Sequence, residues 1–363
     1  PAGPMMRILF TACPMFGHVN TVLPLALAAR RAGHTVVLAT GADHVGRVAA
    51  MGLTTWAVGP TYAQAGWPPR SPLDFITTAD KRCVDLLPLA EQWGPDVVVQ
   101  DEIEAAGVIV AARTGARLVV HELGIAASGR GSFAPLLDDL GARWQIEGLS
   151  ETVHRATHLS VCPPSLRPPD AAVPPDTRPL RPALAPPGLG DRLPSTLAAL
   201  PHDRTVHLTL GTVFAAPTVL ADALSGLRRL PVNVVVTSGP GTDPADLGPQ
   251  ARHVLVAPYL PHALLLPRCA LVVSQGGAGI LFGALAHGLP QLVLPQGADQ
   301  FANAAAVERS GAGIALEPGA VTVENVRDAA ARLLADPGYA AHARTVQDEI
   351  AAMPDADAVV AQL

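Results

Sequence analysis

Residues 270–303 read ALVVSQGGAGILFGALAHGLPQLVLPQGADQFAN. An apolar run, Ala270 to Val273, reads as a strand and leads into Gly276-Gly277-Ala278-Gly279. A helix of small residues follows, then a second apolar strand, Gln291 to Leu294, and a polar loop holding Asp299 and Gln300. Strand, glycine turn, helix and strand in this order make the unit from which parallel sheets are built. Glycines at such a turn let a ligand approach the backbone, and the bare amides of a helix N-terminus favour an anion. A phosphate there leaves Asp299 and Gln300, beyond the next strand, to read a neighbouring polar group such as a sugar.

The same alternation extends in both directions. Upstream, strands are expected at 6–12, 35–39, 53–58, 96–99, 117–121 and 158–162, with helices at 21–32, 43–51, 79–92 and 104–114. Downstream they are expected at 205–210, 233–237, 253–256, 271–274, 292–294 and 313–316. Between the two series, residues 163–201 hold 12 of the 36 prolines, which cannot continue a helix or a central strand. The expected architecture is α/β: two Rossmann-like, doubly wound parallel-sheet domains facing across a cleft. Residues 5–162 form the first domain, 163–201 a proline-rich linker, 202–350 the second domain and 351–363 a tail helix. A length of 363 residues exceeds the usual single core and favours this division.

Composition excludes several classes of function. A net charge of −6 provides no basic footprint for nucleic acid. No apolar run reaches the length of a membrane span. The four cysteines, Cys13, Cys83, Cys162 and Cys269, are scattered, which points to a reducing cytoplasm and not to a disulfide framework. Pro1 to Pro4 read as a scar preceding Met5 or Met6. Metal chemistry is not expected. Asp355-Ala356-Asp357 lies on an expected helix far down the chain, and His121-Glu122 lacks the second histidine of a zinc motif.

The first strand-to-helix turn, Cys13-Pro14-Met15-Phe16-Gly17-His18-Val19-Asn20, lacks a dinucleotide fingerprint. The following helix is expected to carry Pro24 in its first turn. His18, beside Met15 and Phe16 at the sheet edge, either bonds the loop or accepts a proton near neutral pH. Asp101, at the end of the strand that starts at Asp96, either orients such a base or caps the helix beginning near Glu104. Glu102 and Glu104 compete with it for the first of these roles.

These segments resemble the bacterial natural-product branch of the nucleotide-sugar-dependent glycosyltransferases. The donor motif of that family runs Ser-His-Gly-Gly-Ala-Gly-Thr, Gly-Ala-Leu-Ala-x-Gly-x-Pro-Gln, then Pro-Gln-x-x-Asp-Gln. Gln275 and Ile280 are the departures from it. The resemblance implies the GT-B arrangement, with His18 as general base and Asp101 as its partner. It places the donor diphosphate at Gly211, Thr212, Gln275, Gly276, Gly277, Ala278 and Gly279. Tyr259 would lie against the base, the Leu260 backbone at the base edge, and Asp299 and Gln300 at the sugar hydroxyls. The departures predict a tuned donor site, because Gln275 can donate a neutral hydrogen bond and Ile280 none.

The acceptor is expected near Met15, Phe16, Trp67, Phe75 and the loop after His121. The implied partners are a nucleoside-diphosphate sugar, of thymidine or uridine, and a hydrophobic small molecule. No metal or other cofactor is expected, and the implied assembly is a monomer or weak homodimer. A nucleotide-sugar epimerase, or a nucleotide-binding auxiliary protein that needs no base, is the alternative reading.

Overall fold

A computed structural model describes residues 4–66, 72–125, 133–188, 190–213, 216–240 and 242–363. They form two compact units. One comprises residues up to 162, 168–181 and 353–363, and the other 163–167 and 182–352.

The first unit contains β1 (Arg7–Thr11), β2 (Thr35–Thr40), β3 (Thr54–Ala57), β4 (Val97–Asp101), β5 (Arg117–His121), β6 (Thr157–Ser160) and β7 (Thr177–Pro179). All pair in parallel, in the order β3-β2-β1-β4-β5-β6-β7. β1 and β4 are buried almost throughout, as strands covered on both faces must be. The order reverses between them, and such a switch point opens a crevice at the strands' C-terminal ends. Thr11 of β1 is in register with Gln100 of β4, so the two strands end at one level.

The second unit repeats the plan with β8 (Thr205–Thr209), β9 (Asn233–Thr237), β10 (Val254–Ala257), β11 (Leu271–Ser274), β12 (Gln291–Val293) and β13 (Gly313–Ala315). They run in the order β10-β9-β8-β11-β12-β13, again in parallel. Here the switch point lies between β8 and β11, where Thr209 pairs with Ser274.

Three expectations are corrected. The proline-rich stretch is not a plain linker, since Thr177–Pro179 forms β7 against β6. Pro179 is tolerated because β7 is an edge strand, where a missing donor leaves no ladder bond unmade. The helix after β1 spans Phe16–Arg31, five residues earlier than expected, and Pro24 lies in its interior. His18 therefore stands in the first helical turn and not in a preceding loop. The tail helix Ala356–Val360 belongs to the first unit and packs on Phe16–Arg31, with Arg31 Nη2 donating to Asp357 Oδ1 at 2.8 Å. Asp355 caps that helix through the Ala358 N–H, so the Asp-x-Asp pair has a structural role.

Candidate functional site

The two sequence-distant residues expected at the first switch point meet there. His18 Nδ1 lies 3.1 Å from Asp101 Oδ2, with the histidine side chain 14% exposed and the aspartate 0%. The same carboxylate accepts from the N–H groups of Cys13 at 2.7 Å, Ile103 at 3.0 Å and Glu104 at 3.1 Å. Burial alone would raise the Asp101 pKa. The adjacent His18 ring and the amides of Cys13 and Ile103 reverse this and hold it below the ordinary carboxylate value. An ionised carboxylate can only accept, so Nδ1 carries the proton, and the neutral tautomer this selects has its lone pair on Nε2. Asp101 bonds the 103–104 turn and holds the imidazole, but it does not cap the next helix, which starts at Ala106.

The two competing glutamates are engaged elsewhere. Glu102 Oε2 accepts from the Leu123 N–H at 3.1 Å, while Glu104 pairs with the buried Arg82 at 2.7 Å. Among the described residues, Cys13, His18 and Asp101 are a set whose ligand atoms lie within 4.8 Å of one another. As a metal set they fit poorly: burial, then the charge of Asp101, drives the Cys13 thiol well above its ordinary pKa, and a thiolate is what a metal needs.

Apolar side chains surround the pair. Cys13 and Met15 are buried together, with Tyr62, Phe75 and Ile103 packed against them. Phe16 is 41% exposed, its ring edge-on to His44 at 4.8 Å and under the Arg47 guanidinium at 5.8 Å. His121 sits beside Asp101 in the β4–β5 register but is buried, with Nδ1 2.8 Å from the Glu122 carbonyl; burial lowers its pKa. Trp67 and residues 126–132 of the loop after His121 lie outside the described residues.

At the second switch point, β11 runs into Gln275 and the glycine turn, and the helix Ala278–Leu285 starts from Gly277 with no side-chain cap. Among the described residues no side chain caps its first amides, the arrangement an anion site requires. Gly276 has φ +85°, and a Cβ there would meet Val293 Cγ1 at 2.6 Å, so glycine is demanded by both backbone and space. A Cβ at Gly279 would meet nothing within 4 Å, which leaves that face of the helix start open.

Gln275 is 8% exposed and its amide lies over Gly211, where a Cβ would collide with Nε2. Its Oε1 is buried without a hydrogen-bond partner among the described residues. Ile280 packs with Leu266, Val272, Ala284 and Leu289 and serves the core. Thr212 is exposed just beyond β8. Tyr259 is 55% exposed, whereas the Leu260 side chain is buried.

Asp299 and Gln300 diverge. Asp299 is exposed at the head of the helix Gln300–Arg309, after Ala298, whose φ of +53° is unusual for a residue with a Cβ. Gln300 is buried, and its Oε1 accepts from the N–H groups of Gln296 at 2.8 Å and Gly297 at 3.2 Å, which shapes the loop. Asn303, one helical turn beyond Asp299, is 0% exposed. Its Nδ2 donates to Asp299 Oδ2 and to the Gly276 carbonyl, each at 2.8 Å, tying the carboxylate to the glycine turn. Its spacing of four from Asp299 was the available signal.

Comparison with known proteins finds relatives over the whole length of the chain. Residues 221–363 match the family described as erythromycin biosynthesis protein CIII-like, C-terminal domain. The chain is 34% identical to L-demethylnoviosyl transferase of Streptomyces niveus, over 98% of this chain and 97% of that one. It is 31% identical to the elloramycin glycosyltransferase ElmGT of Streptomyces olivaceus, covering 99% and 97%. The structure of spinosyn rhamnosyltransferase SpnG complexed with thymidine diphosphate superposes with a TM-score of 0.82 at 30% identity, covering 98% of this chain and 99% of that one.

Proposed function

Since the chain belongs to the bacterial natural-product glycosyltransferases, which transfer a sugar from a nucleotide-sugar donor, we propose that it glycosylates a hydroxyl of a lipophilic small molecule with inversion, using His18 as general base. The observation that carries this reading is the 3.1 Å contact of His18 Nδ1 with the buried Asp101 carboxylate at the switch point of the first sheet. His18 Nε2 takes the acceptor proton while the hydroxyl oxygen attacks the anomeric carbon from the face opposite the diphosphate. Asp101 stabilises the imidazolium that forms. The anomeric C–O bond to the diphosphate breaks, and its negative charge falls on Thr212 and the amides at the head of Ala278–Leu285. An α-linked donor then gives a β-linked product.

Thymidine diphosphate is the favoured nucleotide, because SpnG holds it at 30% identity. Tyr259, exposed after β10, is the platform for the base, and Asp299 binds the sugar hydroxyls. The apolar group of Met15, Tyr62, Phe75 and Ile103 suits a hydrophobic acceptor.

The test is transfer by the His18→Ala variant, read by mass spectrometry, beside calorimetry of thymidine diphosphate binding. The rate is expected to fall on the order of 10²–10⁴ with binding unchanged, since base and nucleotide are held by different units. A rate within a few-fold of the parent removes His18 from the mechanism. Asp101→Asn slows transfer as well, because an amide cannot compensate the imidazolium charge.

A further inference from the structure

A buried ion pair behind His18 and Asp101 has no part in the reaction as written. Arg82 lies on the core-facing side of the helix Pro72–Trp93, on the face that also buries Ile76, Ala79, Cys83 and Leu86. Its Nη1 donates to Glu104 Oε1 at 2.7 Å, with both side chains no more than 1% exposed. Glu104 also caps the helix Ala106–Thr114: Oε1 accepts from the Ala106 N–H at 2.9 Å and Oε2 from the Gly107 N–H at 3.1 Å. Its own N–H donates to Asp101 Oδ1 at 3.1 Å. One four-residue turn is therefore gripped by Asp101 at one end and by Glu104 at the other, with Arg82 bonded to the far end.

Burying such a pair costs several kcal/mol of desolvation, and apolar residues of similar volume often stabilise more. Stability alone does not account for it. Two carboxylates on one buried turn raise each other's proton affinity, and the adjacent Arg82 cation opposes that. A protonated Asp101 could neither fix the imidazole tautomer nor balance its charge.

We propose that Arg82 and Glu104 are positioning residues for the transfer reaction, fixing the 101–104 turn against His18 and cancelling each other's charge beside it. The proposal rests on His18 being the base. The charged and titratable groups facing Asp101 are His18, Cys13, Arg82, Glu104 and His121. Arg82 and Glu104 can be altered here without touching a residue assigned to the reaction or the acceptor.

The experiment measures kcat and KM from pH 5.5 to 9 for the parent, Arg82→Met, Glu104→Gln and Arg82→Lys. Arg82→Met leaves Glu104 uncompensated, which favours positive charge on His18. The acid limb of the rate profile should move up by about half to one pH unit. Glu104→Gln keeps a carbonyl for the Ala106 N–H but leaves the Arg82 cation uncompensated, so the limb should move down by a similar amount. Arg82→Met should also lower kcat about 10- to 100-fold with the donor KM unchanged. Arg82→Lys should return the limb to its parental position. Folded variants whose limbs stay in place, or move in the same direction, would reduce the pair to scaffold. If Arg82→Met does not fold, the downward shift in Glu104→Gln and the parental limb in Arg82→Lys decide the matter alone. His18→Ala separates the two ideas: if it retains transfer, the base assignment falls; if it loses transfer while the limbs stay in place, only the pairing proposal falls.

Discussion

Gln275 is the residue whose chemistry departs most from the family motif, and its placement explains how the departure is borne. The amide lies over Gly211, its oxygen buried and without a partner among the described residues, at a helix start that carries no acidic residue. A histidine there could protonate and add a charge-assisted bond to a diphosphate, which glutamine cannot. Gln275→His should therefore bind thymidine diphosphate more tightly as pH falls from about 8 to 6, by a gain bounded near 1–2 kcal/mol. Calorimetry of parent and variant across that range checks it; equal affinity at pH 6 would mean that this side chain does not meet the phosphate. The motifs made His18, Asp101 and the glycine turn legible in the sequence, because each lies where a strand ends. Arg82 and Glu104 were not legible as a pair. They are 22 residues apart, on a helix and a turn whose packing no local pattern reports.

The loop and helix after β12 behave as one device. Asp299 opens the helix Gln300–Arg309, Gln300 folds back to shape the loop, and Asn303 reaches from the next turn to hold the carboxylate. Asp299→Ala should impair use of the nucleotide-sugar far more than binding of free thymidine diphosphate. Asn303→Ala should reproduce much of that loss, on the order of 10-fold, by releasing Asp299 from the glycine turn. Parallel calorimetry with both ligands decides it, and equal losses would place Asp299 on the nucleotide or in the scaffold. Periodicity located the strands well wherever burial on both faces writes a continuous apolar run, as in Val97–Val99 or Val234–Val236. It failed at Thr177–Pro179, an edge strand with no apolar signature. It also failed at the start of Phe16–Arg31, where Pro24 suggested a later first turn.

At the scale of the whole molecule, acid should be felt at a buried histidine pair in the second unit. His207 and His262 are buried with their Nε2 atoms 3.3 Å apart, and His207 Nδ1 lies 3.0 Å from the Val235 carbonyl. Burial lowers their pKa values to about 3 and about 4, with the neighbouring ring adding to the effect at His207. Both rings are therefore neutral in the folded protein. The stability is fully present above the unfolded histidine value near 6.5 and is lost as pH falls toward 4, because only the unfolded chain takes up these protons. At pH 5 the loss should be on the order of 1–2 kcal/mol per ring. Calorimetric unfolding at pH 7 and pH 5 should show it, with a smaller drop in His262→Gln, which keeps a donor for His207 without titrating. The interleaved chain path also governs how halves of such enzymes can be exchanged. Residues 353–363 close the first unit after the chain has completed the second, and their helix rests on the one that carries His18. A hybrid joined at a single point after residue 181 would bring a foreign C-terminal segment against that helix. Grafting residues 182–352 from a relative therefore needs two junctions, near 181 and near 352, with the native tail restored behind it and the native 163–167 kept within the grafted unit.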